Sequence, residues 1–237
     1  GVLKMTDQAE PRAEASAAPL RRLPVLDQGF MELEEWMGGD AAVVRGARIC
    51  YQSTRKSPEA DARLIRRELR RKPSVNTIFE HAVMRWYVKC PIFVARQWIR
   101  HRMCTYNEKS LRYCAAERSY YTPAGVPDID AYRAHMEASF DLYERLVAGG
   151  WRKEQARAVL GTGVYTEFIW TVNAWSFMNW LSKRADKAAQ WEHRQYALAA
   201  FRLWQEVMPI TAAAFAEEVW KPLEAAGPAP QRGDASA

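Results

Sequence analysis

Hydrophobic positions recur along this chain with two periods. In FEHAVMRWYVKC, Met84, Trp86, Val88 and Cys90 fall on one face and alternate with Arg85 and Lys89, a spacing of two that predicts a strand. GVYTEFIWTVN repeats the pattern, with Val164, Thr166, Phe168, Trp170 and Val172 on one face. Elsewhere the period is helical. DIDAYRAHMEASFDLYERLVAGG places Tyr132, Met136, Phe140 and Tyr143 on one stripe, and Gly149-Gly150 stops it. Ala197, Phe201, Trp204 and Met208 mark a long helix that ends near Pro209, and a last short helix runs from Thr211 to Trp220. ADARLIRRELRRKP predicts a short helix ended by Pro73, with Leu64, Ile65 and Leu69 as a narrow apolar stripe and Arg63, Arg66, Arg67, Arg70 and Arg71 on the rest. Each predicted strand leads into a helix. Pro91 suits the first turn of PIFVARQWIRHR, and Asn173 can cap AWSFMNWLSKR.

Few strands mixed with helices give an α+β, or mixed α/β, class. No internal repeat and no Pro/Gly-rich linker divides the 237 residues, which predicts a single domain over 23–222. The segments 1–22 and 223–237 are rich in small residues and Pro, and are expected to be flexible tails.

Composition narrows the class. At 49% hydrophobic residues the chain is globular rather than disordered. No apolar run is long enough to span a membrane, and the first twenty residues lack the apolar stretch of a signal peptide, so a cytoplasmic location is the expectation. Cys50, Cys90, Cys104 and Cys114 form no C-x-x-C pair and have no histidine at metal-site spacing, which predicts reduced thiols and no metal. The formal charge of +6 calls for an anionic partner without separating nucleic acid from nucleotides.

The charge is densest in RHRMCTYNEKSLR. Arg96, Gln97 and Arg100 sit near the end of the Pro91 helix, with Gln97 and Arg100 at i, i+3. Arg102, Ser110 and Arg112 come from the turn beyond. Arginine forks give paired charge-assisted bonds to a phosphate, and hydroxyls fill the remaining acceptors. Glu108 is an acceptor among donors, able to orient an arginine or to receive a hydroxyl or amide. Arg157, at i, i+3 from Glu154, and Arg184, at the end of the Asn173-capped helix, could join the set. The stretch holds no glycine, so it is neither a phosphate loop nor a dinucleotide fingerprint. On these residues alone the chain reads as an anion-binding domain for a nucleotide.

RHRMCTYNEKS is Arg-His-Arg, seven residues, then Ser. It resembles the signature of flavin-dependent thymidylate synthases. FEHAVMRWYVKCPIFVARQWIRHR, VRGARICYQS and VYTEFIWTVNAWSFMNWLSKRADKAAQWE are similar to that family's flanking segments, so the resemblance covers Asp40 to Pro222. It implies a small, mostly antiparallel sheet flanked by long helices. It also implies reductive methylation of dUMP to dTMP, with FAD as cofactor, NADPH as reductant and methylenetetrahydrofolate as methylene donor. Members resemble one another as homotetramers with active sites at chain junctions.

The resemblance also assigns residues. Thr77, Arg100, His101, Arg102, Glu108, Asn173, Ala174, Trp175 and Asn179 match flavin-contacting positions. Gln97, Trp98, Ile99, Arg100, Glu108, Lys109, Ser110, Leu111 and Arg112 match the dUMP site, which Arg157 joins from the same or another subunit. Arg184 matches the catalytic arginine set against the uracil ring. Three positions depart from the pattern: Val75 and Ala188 stand where a histidine is frequent, and Trp175 where an arginine is frequent. Two other readings remain open at this stage. One is a nucleotide-binding homologue without turnover; the other is a nucleic-acid module that uses the basic helix from Ala62 to Lys72.

Overall fold

A computed structural model describes residues 21–49, 52, 57–70 and 77–219. Residues 1–20 of the expected tail 1–22, the expected tail 223–237, and Cys50, Arg71, Lys72, Pro73, Val75 and Trp220 lie outside these residues.

A five-stranded sheet organises the chain, in the order β1-β2-β3-β5-β4 with every pair antiparallel. The strands are β1 (Arg21–Val25), β2 (Gly29–Met37), β3 (Val83–Pro91), β4 (Thr105–Glu108) and β5 (Tyr165–Asn173). Alternation decides which face is covered. Met31 and Leu33 of β2, Met84, Trp86, Val88 and Cys90 of β3, and Phe168, Trp170 and Val172 of β5 are buried. The other face carries polar pairs, among them Tyr87 with Glu167 and Arg85 with Glu34.

The buried face is roofed by α4 (Ile92–Trp98), α7 (Ala174–Arg184) and α8 (Trp191–Val207). Trp86 of β3 stacks on Phe177 of α7 at 5.4 Å. Trp98 at the end of α4 lies within 5.3 Å of Trp170, Trp180 and Phe168. These rings are fully or almost fully buried, and aromatic burial is the largest single contribution a core residue can make. At one end of this layer, α1 (Gly39–Ile49), α2 (Pro58–Arg70), α3 (Thr77–Glu80) and α9 (Pro209–Glu218) pack together. Asp40 of α1 caps α9, accepting from the backbone N–H groups of Ile210 at 2.8 Å and Thr211 at 2.9 Å. At the other end, α5 (Ile129–Ala148) and α6 (Lys153–Ala156), followed by a 3₁₀ turn at Arg157–Val159, lean on a satellite core of Met136, Phe140 and Val164.

The predicted elements are present, with shifted boundaries and additions. Asn173 caps α7, its side chain accepting from the Ser176 N–H at 2.8 Å. Pro91 is the last residue of β3 and the N-cap of α4, not a residue of its first turn. The free N–H groups of Ile92 and Phe93 go instead to the carbonyls of Val164 and Thr162, at 2.9 and 3.0 Å. That helix stops at Trp98, short of Arg100, because the Tyr106 hydroxyl takes the carbonyls of Trp98 and His101. The long helix α8 ends at Val207, near Pro209 as expected, and Pro209 itself opens α9. β1, which takes in Arg21 and Arg22 of the expected tail, and β2, β4 and α1 are additions to the expected elements.

Candidate active site

Arg184, the last residue of α7, points back towards the end of α4. Its Nε donates to His101 Nε2 at 3.0 Å and its Nη2 donates to the Gln97 carbonyl at 3.1 Å. Both acceptors are neutral, so the guanidinium is oriented without being neutralised. Partial burial lowers the Arg184 pKa, yet arginine starts so high that it stays charged. The same surroundings act on His101: burial first, then the charges of Arg184 and Lys183, pull its pKa down to about 4. The imidazole is therefore neutral near pH 7 and accepts at Nε2.

These groups open onto a cavity of about 250 Å³. Arg100, His101, Arg102, Lys183 and Arg184 supply its polar rim, with Ser176 and Asn179 on α7; Trp170, Val172 and Met103 supply apolar wall. Among the described residues no carboxylate forms an ion pair with Arg100, Arg102, Lys183 or Arg184. Four unneutralised cations around one concavity make a site for an anion. Lys183, Ser176 and Met103 were not among the residues singled out from the sequence. Ser176, Asn179 and Lys183, at i, i+3 and i+7, form one stripe of α7, and that spacing was the available signal.

A second basic cluster lies beyond the other end of β4. Arg112 pairs with Glu154 at 2.7 Å, and Arg157 donates to the Glu154 carbonyl at 3.2 Å. The Ser110 hydroxyl accepts from the Arg112 N–H at 3.2 Å. Glu108, on β4, accepts from Thr166 Oγ1 at 2.6 Å. β4 has four residues, so at ~3.4 Å per residue its ends are about 10 Å apart. Thr105 pairs with Thr171 at the cavity end, and Glu108 with Phe168 at the end nearer the second cluster.

The structure thus divides the expected residues. Gln97, Arg100, His101, Arg102, Asn179 and Arg184 gather at the first cluster; Ser110, Arg112 and Arg157 gather at the second, with Glu108 on the strand between. Gln97 also donates its side-chain amide to Gln190, the N-cap of α8. Trp98 is fully buried in the aromatic core and does not line the cavity. Ile99 is exposed, and Leu111 half-buried. Lys109 is paired with Glu117. Ala174 is fully buried, and its N–H is taken by the Ala82 carbonyl at 2.8 Å. Trp175 stacks on Phe79 of α3 at 6.3 Å, and Thr77 is exposed at the start of α3; neither lines the cavity. Ala188 is exposed in the turn after α7.

The basic helix loses its case as a nucleic-acid surface. Arg66 and Arg70 of α2 pair with Glu217 and Glu218 of α9, and Arg67 pairs with Glu68. Among the described residues no group of three or more His, Cys, Asp or Glu is placed to hold a metal, and no helix is long and apolar enough to cross a membrane. Cys90, Cys104 and Cys114 are free thiols.

Comparison with known proteins bears on the same residues. The sequence model of the Thy1 family, thymidylate synthase complementing protein, matches residues 32–210. A flavin-dependent thymidylate synthase of Thermotoga neapolitana is 41% identical over 210 residues, which covers 84% of this chain and 96% of that protein. One from Thermus thermophilus is 36% identical, over 83% of this chain and 79% of that protein. Among solved structures, the UMP/dUMP methylase PolB from Streptomyces cacaoi, bound with 5-Br dUMP, superposes with a TM-score of 0.75 at 26% identity, covering 82% of this chain and 97% of that one.

Proposed function

The chain belongs to the flavin-dependent thymidylate synthase family, and on that premise we propose that it methylates dUMP to dTMP. In this reading FAD is the cofactor, NADPH the reductant and methylenetetrahydrofolate the one-carbon donor. The observation that carries it is the setting of Arg184: a guanidinium held by two neutral acceptors on the rim of a cationic cavity, with its charge left for a ligand.

The residues present fit such a cofactor. Arg100, Arg102 and Lys183 offer unneutralised charge to a diphosphate, and Trp170, Val172 and Met103 offer an apolar wall to a ring system. The cavity is small beside the ~300–1,000 Å³ usual for ligand sites. A dinucleotide needs more surface than one chain offers there. FAD, when bound, supplies the hydride chemistry that no side chain can.

The chain's own part is to activate the pyrimidine. Carbon 5 of uracil is a weak nucleophile until negative charge develops on the ring. A guanidinium aimed at the carbonyl and N3 favours that charge, and one preorganised donor of this kind is typically worth ~3–4 kcal/mol of barrier. Arg184 is the residue with that freedom. Of its five N–H groups, two are spent on His101 and Gln97, which leaves three for the ring. Ser110, Arg112 and Arg157 suit the nucleotide phosphate. Because they sit beyond the far end of β4, a partner chain is the natural source of the second cluster for each cavity. This supports a homotetramer with active sites at subunit junctions. Thiols left free in all three described cysteines agree with a cytoplasmic setting.

The test is anaerobic reduction followed by flavin absorbance. Protein supplied with FAD receives NADPH with and without dUMP, and bleaching accelerated by dUMP is expected. Binding of dUMP with no flavin binding under any condition would identify a nucleotide-binding homologue without turnover.

A further inference from the structure

We infer that His101 is the positioning residue for Arg184: its neutral ring, accepting at Nε2, aims the guanidinium whose remaining donors meet the pyrimidine. This rests on the dUMP reading above and goes beyond it, since the resemblance makes His101 a flavin contact alone.

The geometry assigns the role. The Nε–H of an arginine lies on one edge of the guanidinium, next to one Nη. His101 and the Gln97 carbonyl occupy those two neighbouring donors, at 3.0 and 3.1 Å. Two anchors on one edge fix the plane of the group as well as its position, and they leave the opposite edge facing outwards. A carboxylate could do the same but would cancel the charge. A neutral imidazole orients without cancelling.

His101 is itself held. Its backbone carbonyl accepts from the Tyr106 hydroxyl at 2.8 Å and from Cys104 Sγ at 2.8 Å, and its N–H donates to the Trp98 carbonyl at 3.0 Å. The ring is therefore presented from a fixed turn between α4 and β4. Acceptance at Nε2 leaves the proton on Nδ1, and among the described residues that N–H has no side-chain or backbone acceptor. His101 also lines the cavity. A ligand atom that accepts from Nδ1–H would polarise the ring and strengthen the bond to Arg184, as a hydrogen-bond partner on the far nitrogen does for other imidazoles. Cavity and substrate occupancy are then linked through one side chain, and the linkage acts equally in both directions.

The test uses the full-length protein and compares His101→Ala with His101→Gln, whose side-chain oxygen can reach the Nε2 position. Dissociation constants for dUMP and for FAD are measured separately by calorimetry, alone and in the Arg184→Ala background. Loss of a hydrogen bond to a charged group is expected to weaken dUMP binding by about tenfold or more in His101→Ala. His101→Gln is expected to recover most of that loss. In the Arg184→Ala background neither substitution should weaken dUMP further. Equal losses in both backgrounds, or a loss of FAD affinity with dUMP affinity untouched, would overturn the assignment. The dUMP reading itself fails in a different way, through absence of dUMP binding by the unsubstituted protein.

Discussion

Glu154 holds the guanidinium of Arg112 at 2.7 Å, and so fixes the second basic cluster at the far end of β4 from Arg184. If each active site joins the first cluster of one chain to the second cluster of its neighbour, defects in the two clusters complement each other. Arg184→Ala and Arg157→Ala, each nearly inactive alone, are expected to regain activity when co-expressed. Random assortment restores about one site in four. Mixed oligomers verified by mass spectrometry that stay as inactive as their parents would place each active site within one chain.

Arg184→Ala is expected to fold normally, because the residue is only partly buried and ends its helix. Its kcat/KM for dUMP should fall by ~100-fold or more, from the loss of an aimed charge. Arg184→Lys should not restore it, since an ammonium cannot hold the His101 and Gln97 anchors while presenting a planar edge. Steady-state kinetics unchanged in Arg184→Ala would remove the residue from the chemistry.

Ser110 contacts substrate in this reading and does not attack it. Its hydroxyl accepts from the Arg112 N–H, and among the described residues no base is hydrogen-bonded to it, as a serine nucleophile requires. Ser110→Ala should therefore keep turnover, with kcat/KM lowered by about tenfold at most. A covalent adduct mapped to Ser110 by peptide mass spectrometry would show the opposite.

His193 is fully buried, stacked 5.0 Å from Trp98 and tilted against Trp180 at 5.8 Å, with no partner for either ring nitrogen among the described residues. Burial, then the charges of Arg184 and His101, hold its pKa well below the ordinary 6.5. The unfolded chain binds that proton near pH 6.5 and the folded chain does not. The corresponding stability is complete above that pH and is lost as pH falls below it. The melting temperature should therefore drop between pH 7 and 5. His193→Leu, of similar volume, should flatten the drop, leaving the part due to His101. At pH 7 it should change stability by no more than about 1 kcal/mol. Parallel pH slopes in the two proteins would acquit His193.

Legibility in the sequence followed the strength of the local signal. β3, β5 and α5 were readable because their buried residues repeat with a clean period. In β2, Glu32 is buried and pairs with Arg22 of β1. Glu32 lies on the opposite face from Met31 and Leu33, beside Tyr87, and the alternation is broken instead by the register shift between Leu33 and Glu35, so no sustained period marks the hairpin. β4 was hidden because its residues read as polar loop; it is a strand only through pairing with β5, a long-range contact that no window of sequence contains. The candidate site was proposed as a set of residues by resemblance, and in the fold Arg184 and His101 do meet. Its division into two clusters was not legible, since spacing along a chain says nothing of which end of a strand a side chain reaches. The arginines of α2 misled for a related reason. The carboxylates that neutralise Arg66 and Arg70 lie about 150 residues away, on α9.

β4 also gives the interval in the signature a mechanical meaning. Seven residues separate Arg102 from Ser110, and four of them are this edge strand in fixed register with β5. Beside the identities of Tyr106 and Glu108, their number matters. One residue more or fewer would turn Glu108 from the face that meets Thr166 to the opposite one, and would displace Ser110 by a full strand step. The interval works as a ruler between the two clusters. Substitutions at Thr105 and Asn107 should be tolerated far better than insertions, because the two clusters lie at the ends of the interval and the sheet keeps the measure.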